Sequence, residues 1–307
     1  MTARDAIVVP TSEEPPELAL TTPISNPGQR RSRASTTRAF LGKPATIVFL
    51  IVLAAIVTVS FIGPYLVGNP VTTSHPILHA PDLEFLMGTD ALGRDYLARV
   101  VNGGRISLFV GFSVAFLCMT IGLVIGGLAG YYGGFLDAGL VKVAEFFQVL
   151  PGLVLALVAA ALLGSNVWII VAILALTMWP AVARIARAEA MRIAQLGYVE
   201  SAKAAGFRGL RIIWSDVIPN ALPPVLVATS MTVGRAILIE SGLAYLGIGD
   251  ANNPSWGALL NTAQGFMQTG WWLAVFPGAL IFLTVLAVNI LGDSLNDALN
   301  PTVGRVK

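Results

Sequence analysis

The sequence predicts an all-α integral membrane protein with six transmembrane helices and a short cytoplasmic helix between the fourth and fifth. Three observations carry this: a composition too poor in charge for a water-facing globule, six apolar stretches of spanning length, and a lopsided distribution of Lys and Arg. Hydrophobic residues fill 55% of the 307 positions and charged residues 12%, with a mean hydropathy of +0.76. A soluble domain carries roughly 25% charged residues. With about half that share, most of the outer surface must face something other than water.

The elements follow in order. Residues 1–44 are rich in Pro, Ser, Thr and charge, as at Glu13 to Glu17 and Arg30 to Arg33. Such a segment buries too little apolar surface to offset its ordering entropy, so a disordered cytoplasmic tail is expected. The first apolar run comes too late for a cleaved signal and is long enough to span, so it reads as an uncleaved anchor. A bilayer core of about 30 Å needs ~20 apolar helical residues. The stretches that qualify are 45–67, 107–130, 139–163, 166–186, 221–246 and 271–292. The third carries Lys142, Glu145 and Pro151, and the fifth carries Pro223, Pro224, Arg235 and Glu240. Gly122 and Gly126 give the second span a small-residue face for close helix packing.

Orientation follows from the cations between spans. One side holds Arg4, Arg30, Arg31, Arg33, Arg38 and Lys43, then Lys142, then Arg184, Arg187, Arg192, Lys203, Arg208 and Arg211, and finally Arg305 and Lys307. The other holds Arg94, Arg99 and Arg105. Fifteen against three places both termini in the cytoplasm.

Several function classes are excluded or unsupported. The net charge of +2 gives no concentrated basic field for nucleic acid. Cys118 is the single cysteine, which rules out an intrachain disulfide framework and a multi-cysteine metal site. No P-loop pattern G-x-x-x-x-G-K-[ST] occurs, so no ATP site of that kind is expected. There is no H-E-x-x-H and no G-x-S-x-G, and no catalytic residue is assigned. His75 and His79 have helical metal spacing, but Pro76 argues against a helix there and no metal is expected.

The most informative segment runs from Tyr198 to Arg208 and on to Ile218, Pro219 and Asn220. Glu200 suits the first turn of a short helix. Ala202, Ala204 and Ala205 add propensity with almost no bulk. Gly206 can take the left-handed conformation that ends the helix. Such a helix fits a groove of another protein, or merely links two spans.

The pattern of Glu200, Ala202, Gly206, Ile218 and Pro219 resembles the EAA loop of bacterial ABC import permeases. Ser201 stands where that family usually has Ala, and Asp216 where an apolar or basic residue is more usual. Met87 to Asp95, Gly104 to Leu108, Ile239 to Gly249, Pro254 to Gly257, Trp271 to Pro277 and Leu291 to Leu299 are similar to one of the two dipeptide/oligopeptide permeases. The resemblance runs from about residue 41 to 301. It implies a six-span permease domain over 45–300 with a coupling loop at about 187–220, and a cytoplasmic tail at 301–307. It also implies a coupling helix docked on a P-loop ATPase subunit, with ATP and Mg on that partner and no cofactor in this chain. Further implied partners are a second, homologous permease, an extracytoplasmic substrate-binding protein and the bilayer of the bacterial inner membrane. The implied function is ATP-driven import of peptides; nickel and glutathione are the substrates of close relatives.

Arg235 and Glu240 are ionisable residues within a span, five apart and so on different helix faces. They are expected either to line the substrate path or to pair with the second permease. Asp90, Arg94 and Asp95 are candidates for contact with the binding protein, against the alternative of a capped loop with Thr89 or Asp90 as helix cap. Trp271 and Trp272 are expected in the interfacial aromatic belt. An ion-driven secondary transporter would need paired acidic residues in spans and an inverted repeat, and neither is visible. A membrane enzyme would need a nucleophile and base within the spans, and no His lies there.

Overall fold

The computed structural model describes residues 40–250 and 253–299. The tails expected over most of 1–44 and over 301–307 lie outside the described residues. The elements are α1 (Pro44–Ile62), α2 (Tyr96–Tyr132), α3 (Gly134–Val149), α4 (Gly152–Leu163), α5 (Val167–Ala194), α6 (Gly197–Ala204), α7 (Gly209–Ile212), α8 (Ile218–Tyr245), α9 (Trp256–Ala263) and α10 (Trp272–Leu299). No strand occurs among the described residues, and one isolated bridge joins Thr89 to Asp95.

Five segments are individually long and apolar enough to cross a membrane: Pro44–Tyr65, α2, α5, the run from Gly209 through α8, and α10. The sixth span is the pair α3–α4, bent by 76°. The bend has a local cause. Pro151 lacks an N–H and pushes the preceding Leu150 into extended backbone (φ −69°, ψ 123°), so the helix stops and restarts at Gly152. The single helix expected over 139–163 is therefore corrected to a broken span.

Other boundaries also move. Helix α2 starts at Tyr96 rather than near residue 107, because the Asp95 carboxylate accepts the Leu97 N–H at 2.9 Å and caps it. At 37 residues it is about 55 Å long, well beyond a bilayer core. The segment entering α8 is helical from Gly209, passing through a π-turn at Ile213–Val217.

Helix α2 is the hub. Gly122, Gly126 and Gly130 lie in sequence against Val182 with Ala183, Ala186 with Arg187, and Ala190 of α5, so the two helices run parallel in near-backbone contact. On its other side Gly111 meets Ile237 of α8, which runs antiparallel. Helix α10 packs against α8, with Gly292 against Ser230, and holds α1 through the buried pair Thr46 Oγ1 to Ser294 Oγ at 2.8 Å. One buried cluster joins α2, α5 and α8 around Val114, Leu174, Trp179 and Val225. A second joins α1, α2, α9 and α10 around Tyr96, Leu108, Trp256 and Trp272. Outward faces carry exposed Ile51, Phe116, Phe146, Leu162 and Phe282, as a lipid-facing or subunit-facing surface requires.

The bundle thus has two ends. One gathers the 63–95 loop, the starts of α2 and α5, the end of α8, and α9. The other gathers Lys43, the ends of α2 and α5, α6, α7 and the π-turn.

Candidate functional site

At the second end, α6 is fixed by one buried residue and a C-terminal cap. Val199 is fully buried against Ala190, Ile193, Ile212, Val217 and Ala221. Glu200 sits in the first turn and is exposed, as are Ser201 and Gly206; Ala202 is half-buried. At the far end Gly206 adopts φ +79°, its N–H donates to Lys203 O at 3.0 Å and the Phe207 N–H donates to Ala202 O at 3.1 Å. These are the two bonds of a Schellman cap, and the glycine is there because the left-handed conformation costs other residues free energy. Lys203 lies over the Tyr131 ring at 5.0 Å, and Asn220 Nδ2 donates to Asp216 O at 2.6 Å, turning Ile218 and Pro219 into α8. Asp216 is absorbed locally, accepting the Ser215 hydroxyl at 2.6 Å. Around α6, Tyr198, Phe207, Leu210 and Trp214 are exposed apolar side chains at one end of the molecule.

The opposite end holds an ionic cluster. Asp90 is 4% exposed, and its carboxylate accepts the Leu92 N–H (2.8 Å), the Arg94 N–H (2.9 Å), Arg94 Nε (2.7 Å) and Arg99 Nη1 (2.5 Å). Gly93 makes the intervening turn with φ +66°. Asp95, not Thr89 or Asp90, caps α2, and Thr89 Oγ1 instead accepts the His79 N–H at 2.9 Å. The capped-loop alternative describes this segment in outline, with the cap moved to Asp95. Asp90 is taken up by these internal bonds, whereas Arg94 stays partly exposed. His75 and His79 both stack edgewise on Phe85, and no metal-holding cluster is found among the described residues.

Burial alone would raise the Asp90 pKa, but the Arg94 and Leu92 amides and the two guanidiniums outweigh it and hold the carboxyl below its ordinary 3.8. A depressed folded pKa stabilises the loop above the unfolded value and loses that contribution as pH falls through the folded value. The loop is therefore expected to hold from neutral pH down to about 4 and loosen below it. Limited proteolysis of residues 69–95 against pH checks this, and Asp90→Asn should leave the loop labile at every pH.

Within the bilayer region the two charged residues of α8 part company. Arg235 is exposed on the outer face of the chain. Glu240 is 2% exposed, and its Oε2 accepts the hydroxyls of Ser107 and Ser241 at 3.4 Å each. Ser107 Oγ in turn accepts the Trp256 N–H at 3.2 Å, and Trp256 Nε1 donates to Val100 O at 2.8 Å. Glu240 thus faces α2 and the start of α9 within its own chain. The structure does not bring it together with Arg235, which is exposed. Glu240→Gln keeps an acceptor and should be mild, whereas Glu240→Leu strands the hydroxyls at a cost of about 1–3 kcal/mol. Thermal unfolding in detergent reads this; equal stability of the Leu variant with lost transport would return Glu240 to a pathway role.

Trp272 is also corrected. It is 4% exposed beneath the 63–95 loop with Nε1 donating to Thr89 O at 3.1 Å, while Trp271 stays 55% exposed. The motif residues Ser107 and Trp256, and the cavity described next, had no role assignable from sequence. Between the starts of α2, α5 and α9 lies a cavity of about 1130 Å³, lined by Arg94, Arg99 and Arg105 together with Phe109, Trp168 and Asn261.

A six-span helical bundle with apolar outward faces, an arginine-lined cavity at one end and a capped, exposed helix at the other marks the chain as a multi-pass membrane protein. It belongs to the family described as binding-protein-dependent transport system inner membrane component, whose model matches residues 122–305. Among its relatives, a protein of Brucella suis named as a peptide transport system permease is 35% identical, with 93% of this chain and 97% of the relative covered. The dipeptide transport system permease of Bacillus subtilis is 37% identical over 84% of this chain and 80% of its own. The glutathione transport system permease of Pectobacterium atrosepticum is 38% identical over 72% and 74%. The fold is shared with a chain of the MetNI methionine ABC transporter in an inward-facing conformation, with a TM-score of 0.53 at 18% identity, covering 66% of this chain and 97% of that one. The resemblance read from the EAA-like loop and the flanking motifs is thereby confirmed at the level of the family.

Proposed function

We propose that this chain forms half of the translocation pathway of an ATP-driven peptide importer and transmits ATPase motion through α6. The observation that carries the reading is α6 itself: small-surfaced, Schellman-capped, exposed, and surrounded by Tyr198, Phe207, Leu210 and Trp214. In this reading Glu200, Ala202 and Gly206 seat the helix in a groove of a P-loop ATPase subunit, which carries the ATP and Mg. Ile218 and Pro219 join that seat to α8 without a break, so displacement of α6 swings the span. The remaining partners are a second permease and an extracytoplasmic binding protein.

In this reading α6 lies in the cytoplasm. Lys43, Lys142, Arg184, Arg187, Arg192, Lys203, Arg208 and Arg211 lie toward the α6 end, and Arg94, Arg99 and Arg105 toward the other, which supports cytoplasmic termini. Peptides are the favoured cargo because the Brucella and Bacillus relatives bear that name and cover more of the chain than the glutathione relative. Glutathione, itself a small peptide, is the second reading, and a nickel complex the third.

A tagged pull-down from native membranes in mild detergent tests the assembly. Recovery of a P-loop ATPase and a second six-span protein in matching amounts is expected. Recovery of this chain alone, or as a homo-oligomer, would contradict it and favour an ion-driven transporter.

A further inference from the structure

The cavity at the end of the bundle opposite α6 has a charge imbalance. Arg94 and Arg99 share one carboxylate oxygen, Asp90 Oδ2. Arg105, three turns into α2, is exposed and has no hydrogen-bond or ion-pair partner among the described residues. Asp250 also lines the cavity and accepts Asn253 Nδ2 at 3.3 Å. Three guanidiniums thus stand against two carboxylates, Asp90 below the wall and Asp250 on it. A surplus guanidinium at the edge of a bilayer is costly unless it meets water or an anion.

The rest of the wall narrows the anion. Phe109 and Trp168 stand edge to face with centroids 5.2 Å apart, giving an apolar flank beside Arg105. The cavity is concave and of about 1130 Å³, a size for a small molecule or a few peptide residues rather than a protein surface. Asn102 and Asn261 line it, but their amides already donate to Ala98 O and Tyr245 O at 2.7 Å each. The arginines are therefore the charged donors that the wall offers a ligand, beside the neutral N–H groups of Trp168 and Asn166.

We propose that this cavity is a reception site for the free C-terminal carboxylate of a peptide, with Arg105 as the residue that binds it and Asp90 as the positioning residue that holds Arg94 and Arg99 beside it. Planar guanidinium forks match a carboxylate in geometry and charge. The aromatic flank takes the adjoining side chain. This rests on the reading of peptides as cargo and adds to it the end of the peptide that this chain recognises.

The test uses the assembled complex, trapped with ADP and vanadate so that its ATPase dimer stays closed. Equilibrium dialysis measures retention of labelled trialanine and of trialanine amide, without binding protein. The wild-type complex should bind the free acid about tenfold more tightly than the amide, the size of one charged hydrogen bond. Arg105→Gln should remove that preference and Arg105→Lys restore part of it. Equal binding of acid and amide by the wild type, binding of neither, or an undiminished preference in Arg105→Gln would each overturn the proposal. So would an Arg105→Gln effect confined to the binding-protein concentration needed for half-maximal uptake, which would make the patch a protein-docking surface. Peptide uptake by the wild type with binding protein, run alongside, shows whether the cargo reading stands when this site does not.

Discussion

Gly206→Val is expected to lower peptide uptake at least about tenfold while leaving the protein in the membrane at wild-type abundance. The cause is conformational. Gly206 holds φ +79°, and a Cβ added there meets nothing within 4 Å, so the loss arises from the backbone and not from a clash. A left-handed residue other than glycine costs roughly 1–2 kcal/mol, and more for a β-branched side chain. That is comparable to the two hydrogen bonds of the cap, so the last turn of α6 unwinds and Phe207 leaves its position. Because α6 is held by Val199, Ala202 and Lys203 at its own end of the bundle, the disturbance stays local and the transmembrane bundle is untouched. ATP hydrolysis by the complex should continue without matching transport. Gly206→Ala, with less strain, should fall between the two. Normal uptake by the valine variant would remove α6 from the coupling role.

Gly126→Leu is expected to have the opposite character: loss of folded protein from the membrane. A Cβ at Gly126 runs into the backbone oxygen of Ala183, and into Ala186 Cβ and Arg187 N at 2.8 Å each. None of these is a flexible side-chain end, so α2 and α5 must separate along their whole seam. Overpacking a tight contact costs typically about 1–3 kcal/mol, and here it also strips the neighbouring contacts at Gly122 and Gly130. A control lies one helix away. Gly139 in α3 has open space around it and ordinary helical backbone, so Gly139→Ala should leave abundance unchanged or slightly raised. Membrane yield and monodispersity in detergent separate the two variants. Equal yields would mean that the α2–α5 contact is not the seam of the fold.

What was legible in the sequence follows physical range. Composition and apolar run length place the six spans, and the Gly-x-x-x-Gly spacing of Gly122 and Gly126 announces a close helix contact on α2 without naming α5 as the partner, because both signals are local. The α6 cap was legible for the same reason: Glu200 to Gly206 carries its own start and stop. Pro151 announced trouble in the third span but not its geometry, since a proline in a membrane helix is tolerated as a kink or acts as a break according to its neighbours. The long-range polar pairs were not legible. Nothing in the spacing of Ser107, Glu240 and Trp256 says that they meet. The same holds for Trp272 Nε1 and Thr89, which are far apart in sequence. Nor does the sequence announce the burial of Arg99, whose chain neighbours Leu97, Ala98, Val100 and Val101 are apolar. Its burial against Asp90 depends on a loop that folds back over the start of α2. Trp271 and Trp272, adjacent and identical, take opposite fates for the same reason.

The most direct test of the central claim is peptide accumulation in sealed vesicles. The complex of this chain with its second permease and ATPase subunits is reconstituted, binding protein and labelled peptide are supplied on the side opposite the ATPase subunits, and ATP is supplied on theirs. The account predicts accumulation against a gradient that requires ATP and binding protein together, persists when ion gradients are collapsed by ionophores, and disappears with Gly206→Val. Accumulation that ignores ATP but follows an imposed proton or sodium gradient would contradict it.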